Sequence, residues 1–261
     1  MAVERLSLTD NTLIACYADH IQRYHFALQY CQGKRVVDAG CGIEYGSKFL
    51  ASNGASSVLA LDNSQEALNE ALLYFSRENL AFKQMNVEEI GSASDLIGQF
   101  DLVVNFENIE HLRHPHRFIA GAASIANILI TSTPNGALTP LDAEGNSLNK
   151  FHVKEFTSTE LINLLTPHFD KVTLFGQWLT YAGRLRQLRT VELHRDLLES
   201  YFNPMNRIGR MIKKLFGKPT LGPPKFSASS DCYDGDFKIS TINSREFPWE
   251  PAALIAVCER N

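Results

Sequence analysis

Few cysteines and no long apolar run occur in this sequence, and both absences exclude classes of protein. The five cysteines among 261 residues are widely spaced and include no Cys-x-x-Cys pair. This pattern argues against a disulfide scaffold or a cysteine zinc site and predicts a cytoplasmic location. The longest nearly apolar stretch, residues 118–130, is shorter than the about 20 residues that span a bilayer. Because Glu4, Arg5 and Asp10 stand near the start, we expect no signal-peptide core to begin there.

The sequence also lacks an excess of positive charge, since 25 basic and 29 acidic residues give a net charge of −4. This balance argues against nucleic acid or an anionic membrane as a general partner. Basic residues nevertheless concentrate in residues 184–218, where residues 207–216 predict a short, basic, amphipathic helix. That helix is either a solvated surface or a contact for a membrane surface or for anionic acceptors, such as phosphorylated sugars or lipid-linked glycans. No sequence feature predicts the oligomeric state.

Strand and helix patterns alternate from Lys34 onward, after a predicted N-terminal helix over residues 11–32. This alternation predicts an α/β fold with a doubly wound, mostly parallel, seven-stranded sheet. Asn63 with Glu66, and Thr157 with Glu160, form capping boxes that predict two helix starts. The seven predicted strands cover residues 35–39, 57–61, 82–86, 100–106, 127–131, 171–178 and 253–260.

A glycine-rich turn follows the first predicted strand, in the segment VVDAGCGIEYG that ends at Gly46. Its first two glycines, Gly40 and Gly42, let the backbone approach a ligand, and the helix that follows presents unpaired N–H groups. Asp38 precedes the first glycine by two residues, where a carboxylate opposes a pyrophosphate and suits a positively charged ligand. Asp62, at the end of the second strand, is placed to accept from both hydroxyls of a ribose. The alternative is a structural turn with an N-capping acid.

Four successive segments of the chain resemble the motifs of class I S-adenosylmethionine-dependent methyltransferases. They are VVDAGCG, VLALD, FDLVVNFENIEHL and ILITSTPNG, and the resemblance covers roughly residues 20–180. The segments RYHFA, EHLRHP and FHVKEF are most similar to bacterial members that modify sugars or small metabolites. The resemblance implies a Rossmann-like methyltransferase fold and S-adenosyl-L-methionine as the cofactor. The chain then divides into an N-terminal helical cover (1–33), a cofactor-binding core (34–180), a basic insertion and loop (181–252) and the last core strand (253–261).

The resemblance also implies which positions bind the cofactor, most of them at the carboxyl ends of the predicted strands. Glu44 departs from the family, which usually has a glycine there, and we expect its side chain to turn outward onto the helix surface. The implied cofactor-binding residues are Arg23, Asp38, Gly40, Cys41, Gly42, Asp62, Asn63, Asn86, Val87 and Phe106.

Glu107, Glu110, His111 and His152 form a second group with three open interpretations. The first is a turn that packs beneath the cofactor. The second makes His152, His111 or Glu107 catalytic, and we favour His152 as a general base because it follows the loop after the fifth strand. The third is a divalent-metal site of all four residues, since their spacing resembles the small-RNA 2′-O-methyltransferases. Two carboxylates and two imidazoles suit Mn²⁺, Fe²⁺, Co²⁺ or Zn²⁺ better than Mg²⁺.

These patterns together predict a methyltransferase that acts on a hydroxyl of a sugar, another small metabolite or a glycan. A hydroxyl acceptor must lose its proton, and the second group offers a base or a metal for that step. One alternative is a metal-dependent RNA 2′-O-methyltransferase, although the net charge does not favour a nucleic-acid partner. Another is a non-catalytic binding protein with the methyltransferase fold. The pair of Asp38 and Asp62 favours real cofactor binding, whereas Glu44 counts against it.

Overall fold

Helices and strands alternate along the computed structural model, which describes residues 14–42, 45–139, 147, 149–181 and 237–260. The strands are β1 (Arg35–Ala39), β2 (Ser57–Asp62), β3 (Leu80–Gln84), β4 (Leu102–Phe106), β5 (Ile128–Pro134), β6 (Lys171–Leu179), β7 (Phe237–Thr241) and β8 (Ala253–Glu259). The α-helices are α1 (Ile14–Cys31), α2 (Tyr45–Ser52), α3 (Gln65–Phe75), α4 (Pro115–Ile125) and α5 (Ser158–Leu165). Two short 3₁₀ helices cover Val87–Ser92 and Ile109–His111.

All described strands belong to one sheet in the order β3-β2-β1-β4-β5-β8-β6-β7. The first five strands pair in parallel, whereas β8 runs antiparallel between β5 and β6, and β7 is antiparallel to β6. From β1 the chain continues to β2 and β3 on one side of the sheet, and from β4 it continues to β5 on the other side. The strand order therefore reverses between β1 and β4. In sheets of this kind, ligands bind in the crevice at the carboxyl ends of the strands beside such a switch point. The predicted doubly wound, mostly parallel α/β fold is therefore confirmed.

The described sheet has eight strands where the sequence predicted seven. The additional strand, β7, lies in the segment that was predicted to be insertion and loop. Its sequence, FKIST, is short and partly exposed along its length. It pairs with β6 alone, at the edge of the sheet. Such a strand depends on its neighbour's backbone more than on its own apolar pattern, and that explains why the pattern did not reveal it.

The central strands read as apolar runs because helices cover both of their faces. Alternate residues point to opposite faces, so Val37 packs with the residues of α4 and α5, and its neighbour Val36 packs with those of α1 and α2. All five residues of β4 are buried. The carboxyl ends of these strands are consequently the part of the sheet where polar side chains collect.

One of the two predicted capping boxes is confirmed and the other is wrong. Thr157 caps α5: its hydroxyl accepts from the Glu160 amide at 3.3 Å, and the Glu160 carboxylate accepts from the Thr157 amide at 2.9 Å. At α3 the N-cap is Ser64, not Asn63, and its hydroxyl accepts from the Ala67 amide. The reason is Asp62, which accepts from the Ser64 amide at 2.8 Å and keeps that residue outside the helix.

Two predicted features lie outside the described residues, namely the basic helix over residues 207–216 and the side chain of Glu44. Among the helices that are described, none combines the length and the apolar character needed to cross a membrane.

Candidate functional site

The glycine turn after β1 is held open by its own backbone geometry. Gly40 and Gly42 have φ angles of +76° and +59°, which side chains rarely tolerate. The amides of Gly40 and Cys41 donate to the Leu61 carbonyl at 2.8 and 3.0 Å, so the turn is tied to β2. A Cβ on Gly40 would lie 2.6 Å from Asn108, whereas a Cβ on Gly42 would meet no atom within 4 Å. The space in front of Gly42 is therefore open to a ligand.

Asp62 lies beside this turn, at the carboxyl end of β2. Its two oxygens accept from the Gly42 amide at 3.0 Å and from the Ser64 amide at 2.8 Å. Asn63, the next residue in the chain, lines a cavity of about 520 Å³ together with Asn86. The third residue predicted to border the adenine, Val87, is buried in the core. The structure thus brings Asn63 and Asn86, which follow β2 and β3, to the wall of one cavity.

Asp38 lies beneath the turn and is only 1% exposed. Its carboxylate accepts from the Ser47 hydroxyl at 2.6 Å and from the Tyr24 hydroxyl at 3.2 Å. Burial raises the pKa of Asp38 to about 6, although these two hydrogen bonds oppose the rise. The Tyr24 ring crosses the start of α2 so closely that a Cβ on Gly46 would lie 1.9 Å from it. Helix α1 therefore packs over Asp38 and the start of α2, beside the turn.

Two further residues that the sequence predicted to bind the cofactor line the same region. Cys41 is buried in the turn. Phe106, the last residue of β4, packs edge-on against Tyr24 with ring centroids 5.0 Å apart. Both positions are consistent with the small and apolar surroundings that the turn requires.

Arg23, the neighbour of Tyr24 on α1, has different partners and makes no hydrogen bond or ion pair with Asp38. It is 1% exposed, and its Nη1 donates to the Oε1 of Gln177 on β6. The same Nη1 lies 3.5 Å from Asp19, and Nη2 lies 3.9 Å from Glu107. Burial lowers the pKa of Arg23, but the carboxylates of Glu107 and Asp19 raise it by more. Arg23 is therefore a cation held between β4 and β6.

Glu107 follows β4 and has a φ angle of +50°. Among the described non-glycine residues, Glu107 alone has a positive φ angle. Backbone strain of this kind costs about 1–3 kcal/mol and is typical of functional sites. Its amide donates to the Ser132 carbonyl at 3.2 Å, and the Ser132 hydroxyl donates to its Oε1 at 2.8 Å. Its side chain is 18% exposed. Glu107 thus presents a carboxylate at the mouth of the site.

Glu110, His111 and His152 bring one ligand atom each to within 4.8 Å of one another. Glu110 is fully buried, and neither of its carboxylate oxygens has a hydrogen-bond partner among the described residues. Burial, with a smaller contribution from the charge of Glu107, raises the pKa of Glu110 well above its usual range. The Nε2 of His111 lies 3.9 Å from Glu110, and its Nδ1 lies 3.1 Å from the Phe151 carbonyl.

Three of the four residues predicted as metal ligands therefore lie together. The fourth, Glu107, lies outside this cluster, beside Ser132 and Arg23. The loop that carries His152 is attached by backbone hydrogen bonds. The amides of Val153 and Lys154 both donate to the Glu110 carbonyl, at 2.7 and 3.2 Å. Two residues 42 positions apart in the chain, Glu110 and His152, are brought together in this way.

His152 is oriented by the carboxylate of Glu155, which was not among the predicted site residues. Its Nδ1 lies 2.6 Å from Oε1 of Glu155, which also accepts from the Ser147 hydroxyl at 2.7 Å. Burial raises the pKa of Glu155, but these hydrogen bonds lower it by more, so the net shift is downward. The proton of a neutral His152 consequently sits on Nδ1, and its Nε2 accepts from Asn149 at 2.9 Å. The i,i+3 spacing of His152 and Glu155 was the available sequence signal.

Sequence comparisons place these residues in a known family. A family model described as a methyltransferase domain matches residues 14–180. A "probable S-adenosylmethionine-dependent methyltransferase" of Mycobacterium tuberculosis is 32% identical over 162 residues, which are 60% of this chain and 56% of that protein. A ubiquinone biosynthesis O-methyltransferase of Acinetobacter baylyi is 34% identical over 96 residues, 36% of this chain and 39% of that protein. The chain thus spans only about half of the first relative's length and less of the second's.

A solved structure supports the fold over nearly the whole chain. It is a Thermotoga maritima protein named as a "SAM-dependent methyltransferase, possible histamine N-methyltransferase". The TM-score is 0.56 at 12% sequence identity, over 95% of this chain and 92% of that chain. The family match shows that the chain belongs to the class I S-adenosylmethionine-dependent methyltransferases, and the solved structure has the same fold.

Proposed function

We propose that this protein transfers a methyl group from S-adenosylmethionine to a hydroxyl of a sugar or another small metabolite. The observation that carries the choice of a hydroxyl is the pair of His152 and Glu155, joined at 2.6 Å. A hydroxyl must lose its proton as the methyl group arrives, and an oriented histidine is suited to accept it. The resemblance to a ubiquinone biosynthesis O-methyltransferase supports the same chemistry.

The residues around the glycine turn fit the cofactor. Asp62 would hold the ribose hydroxyls, and the cavity beside Asn63 and Asn86 would take the adenine. Asp38 and the turn would border the methionine part, in the open space before Gly42. When bound, S-adenosylmethionine supplies a methyl group activated by the positive charge of its sulfonium, and we place that charge beside Glu107 and Phe106.

The histidine pair would act on the acceptor. Glu155 holds the proton of His152 on Nδ1, so the acceptor hydroxyl would take the place of Asn149 at Nε2 and pass its proton there. The protein's remaining tasks are to align the acceptor and to keep water out. The buried Tyr24 of α1, closed over the turn, is suited to exclude water.

A metal-assisted route for the same acceptor is favoured by one observation. Glu110, His111 and His152 lie within 4.8 Å of one another, and both oxygens of the buried Glu110 lack a hydrogen-bond partner among the described residues. Two imidazoles and one carboxylate are a common set for Fe²⁺, Mn²⁺ or Zn²⁺. A cation there would be held by these three residues and would lower the pKa of a bound hydroxyl. This route would also serve RNA 2′-O-methylation.

An anionic acceptor fits the proposal as well, because Lys and Arg concentrate in residues 184–218. A phosphorylated sugar or a lipid-linked glycan is the acceptor that this charge favours. A cytoplasmic location agrees with the thiols of Cys31 and Cys258, which form no disulfide with another described residue.

The test measures transfer of labelled methyl from S-adenosylmethionine to a panel of sugars, sugar phosphates and phenols, with and without chelator. We expect turnover to survive the chelator, and His152→Ala to lose about 10²–10⁴-fold in rate with cofactor affinity preserved. His111→Ala is the matched control, since its ring stands 4.9 Å from that of His152.

Loss of turnover with chelator, restored by Mn²⁺ or Co²⁺, would favour the metal route, and His111→Ala would then be as harmful as His152→Ala. Full activity of both histidine variants in the presence of chelator would leave these residues a packing role only. A protein that binds no S-adenosylmethionine at millimolar concentration would contradict the enzyme proposal altogether.

A further inference from the structure

Three exposed apolar side chains lie on loops at the edge of the sheet where the parallel strands end. Leu138, Val153 and Tyr181 are 51%, 57% and 60% exposed. Leu138 follows β5, Val153 is the next residue after His152, and Tyr181 follows β6. Because β8 runs antiparallel to both β5 and β6, these two strands end at the same edge. We call these three side chains the apolar rim.

Backbone and side-chain hydrogen bonds connect the loops that carry the apolar rim. Asn135 donates from its side chain to the Pro251 carbonyl at 3.0 Å, and the amide of Gly136 donates to the Phe156 carbonyl at 2.9 Å. Pro251 leads into β8, and Phe156 belongs to the same loop as His152. The turn after β5 therefore lies between the His152 loop and the segment that precedes β8.

Tyr181 is the exposed member of a group of four aromatic side chains in that part of the edge. Its ring packs edge-on against Trp249 with centroids 4.7 Å apart, and the Trp249 ring lies 5.5 Å from that of Phe247. Phe247 stacks on Trp178, which is buried and donates from its Nε1 to the Trp249 carbonyl at 2.9 Å. Neighbouring rings therefore support the exposed ring, and aromatic side chains are common in the walls of ligand sites.

The strand order indicates which part of a substrate would meet the apolar rim. The cofactor would bind at the turn after β1, whereas β8 and β6 lie beyond β5, on the side away from β1. In methyl transfer the acceptor approaches the methyl group from the side opposite the sulfur. The part of the acceptor that does not react therefore extends away from the cofactor, along the loops after β5 and β6. Covering exposed apolar surface is favourable in water, so an apolar group suits these loops.

We propose that the apolar rim binds a hydrocarbon chain attached to the acceptor, and that the acceptor is therefore a sugar linked to a lipid chain. The proposal rests on the proposed function, which puts the acceptor hydroxyl at His152. Contacts with the chain hold the acceptor by a part that does not react, and so align its hydroxyl with the base. A sugar without a chain should bind weakly.

The experiment measures the dissociation constants of butyl, hexyl and octyl glucoside by nuclear magnetic resonance titration, with S-adenosylhomocysteine present. Each glucoside is kept below its critical micelle concentration. A fully buried CH₂ group changes affinity by about fourfold, and we expect about twofold on a surface that covers one side of the chain. The octyl glucoside should therefore bind about 16-fold more tightly than the butyl glucoside.

Variants of the apolar rim test where the chain binds. Tyr181→Ser combined with Leu138→Ser should lower the ratio of the two affinities to about fourfold or less. Tyr181→Phe keeps the ring and should preserve the ratio. Leu73→Ser is the matched control, because Leu73 is 79% exposed in the last turn of α3, which leads to the start of β3 at the opposite edge. Melting temperatures verify that the variants are folded.

Several outcomes would overturn the proposal. The first is an affinity that does not depend on chain length in the wild-type protein. Equal ratios in the rim variant and in Leu73→Ser would show that the chain binds elsewhere. Binding to phosphatidylcholine vesicles without affinity for monomeric octyl glucoside would assign the apolar rim to a bilayer surface. A dimer that Tyr181→Ser dissociates, seen by sedimentation, would assign it to a second copy of the chain.

The proposed function can fail separately from this proposal. If binding depends on chain length as expected but no labelled methyl reaches any acceptor, the proposed function is wrong and the apolar site stands. If free sugars are methylated as fast as octyl glucoside, the proposed function stands and the lipid-linked acceptor is wrong.

Discussion

The two halves of the site satisfy their polar side chains in different ways. On the cofactor half, around β1 and β2, Asp38 and Asp62 accept hydrogen bonds from hydroxyls and backbone amides of the protein itself. On the acceptor half, around β4 and β6, buried atoms of Arg23 and Glu110 have no hydrogen-bond partner among the described residues.

An unpartnered buried polar group costs about 1–3 kcal/mol, so its presence needs an explanation. The usual explanation is a ligand that supplies the missing hydrogen-bond partner. We therefore expect folding alone to shape the cofactor half, and a ligand to complete the half that we assign to the acceptor. Variants in the two halves should therefore separate turnover from cofactor affinity.

After His152→Ala, the largest effect is expected from Glu155→Gln, also on the acceptor half. An amide cannot hold the His152 proton on Nδ1 as the carboxylate does, so turnover should fall about 10²-fold. The affinity for S-adenosylmethionine should not change, because Glu155 does not contact the glycine turn. Rates of labelled methyl transfer and calorimetry check this. Glu160→Gln, a change in the cap of α5, is the control, and equal losses of rate and affinity would contradict the separation.

On the cofactor half, Asp62→Ala should weaken S-adenosylmethionine binding by about 1.5–3 kcal/mol. The variant loses the carboxylate that we expect to hold the ribose, and it also frees the amides of Gly42 and Ser64. Asp101→Ala serves as control, because that carboxylate pairs with Arg35 at the opposite ends of the strands. Calorimetry that found equal affinities for Asp62→Ala and Asp101→Ala would remove Asp62 from the site.

The affinity for S-adenosylmethionine should also depend on pH through Asp38. Its pKa is raised to about 6 by burial, and the ammonium group of the cofactor prefers the ionised carboxylate. Affinity should therefore be nearly constant above pH 7 and fall by up to about tenfold for each pH unit below the pKa. Asp38→Asn should bind weakly with a flat profile. Asp19 has a similar pKa, about 6, but lies on the acceptor half, so Asp19→Asn should keep the slope.

The smallest effect is expected outside both halves. Thr157→Ala removes the N-cap of α5 and should lower the free energy of unfolding by about 1 kcal/mol. Urea denaturation measures this loss, and the dissociation constant of S-adenosylmethionine should be unchanged. A drop in cofactor affinity would show that α5 supports the cofactor half, and would contradict the view that α5 lies outside both halves of the site.

The sequence predicted the cofactor half better than the acceptor half because the former depends on short-range patterns. Gly40 and Gly42 stand within four residues of Asp38, and their positive φ angles leave a direct signature in the residue types. The capping box of Thr157 is equally local. Local patterns were not enough at α3, where Asn63 was predicted to be the N-cap. Ser64 takes that position, and what favours it over Asn63 is the hydrogen bond from its amide to Asp62.

The acceptor half depends on contacts that no local pattern encodes. Arg23 and Gln177 are 154 positions apart, and Glu107 and Ser132 are 25 apart. Gln177 did carry a weak signal, as a polar residue in a predicted buried strand, which must find a partner once it is buried. The identity of that partner could be known only from the fold.

The position of β8 has a consequence for how the nascent chain folds. This strand pairs with β5 on one side and with β6 on the other. Both neighbours leave the ribosome before it, so their edges stay exposed, with unpaired N–H and C=O groups, until residues 253–259 have been synthesised. Open edges of this kind recruit other chains. A recombinant fragment confined to residues 14–180, the family-matched region, would keep both edges open and should aggregate, so expression requires the strand that closes the gap.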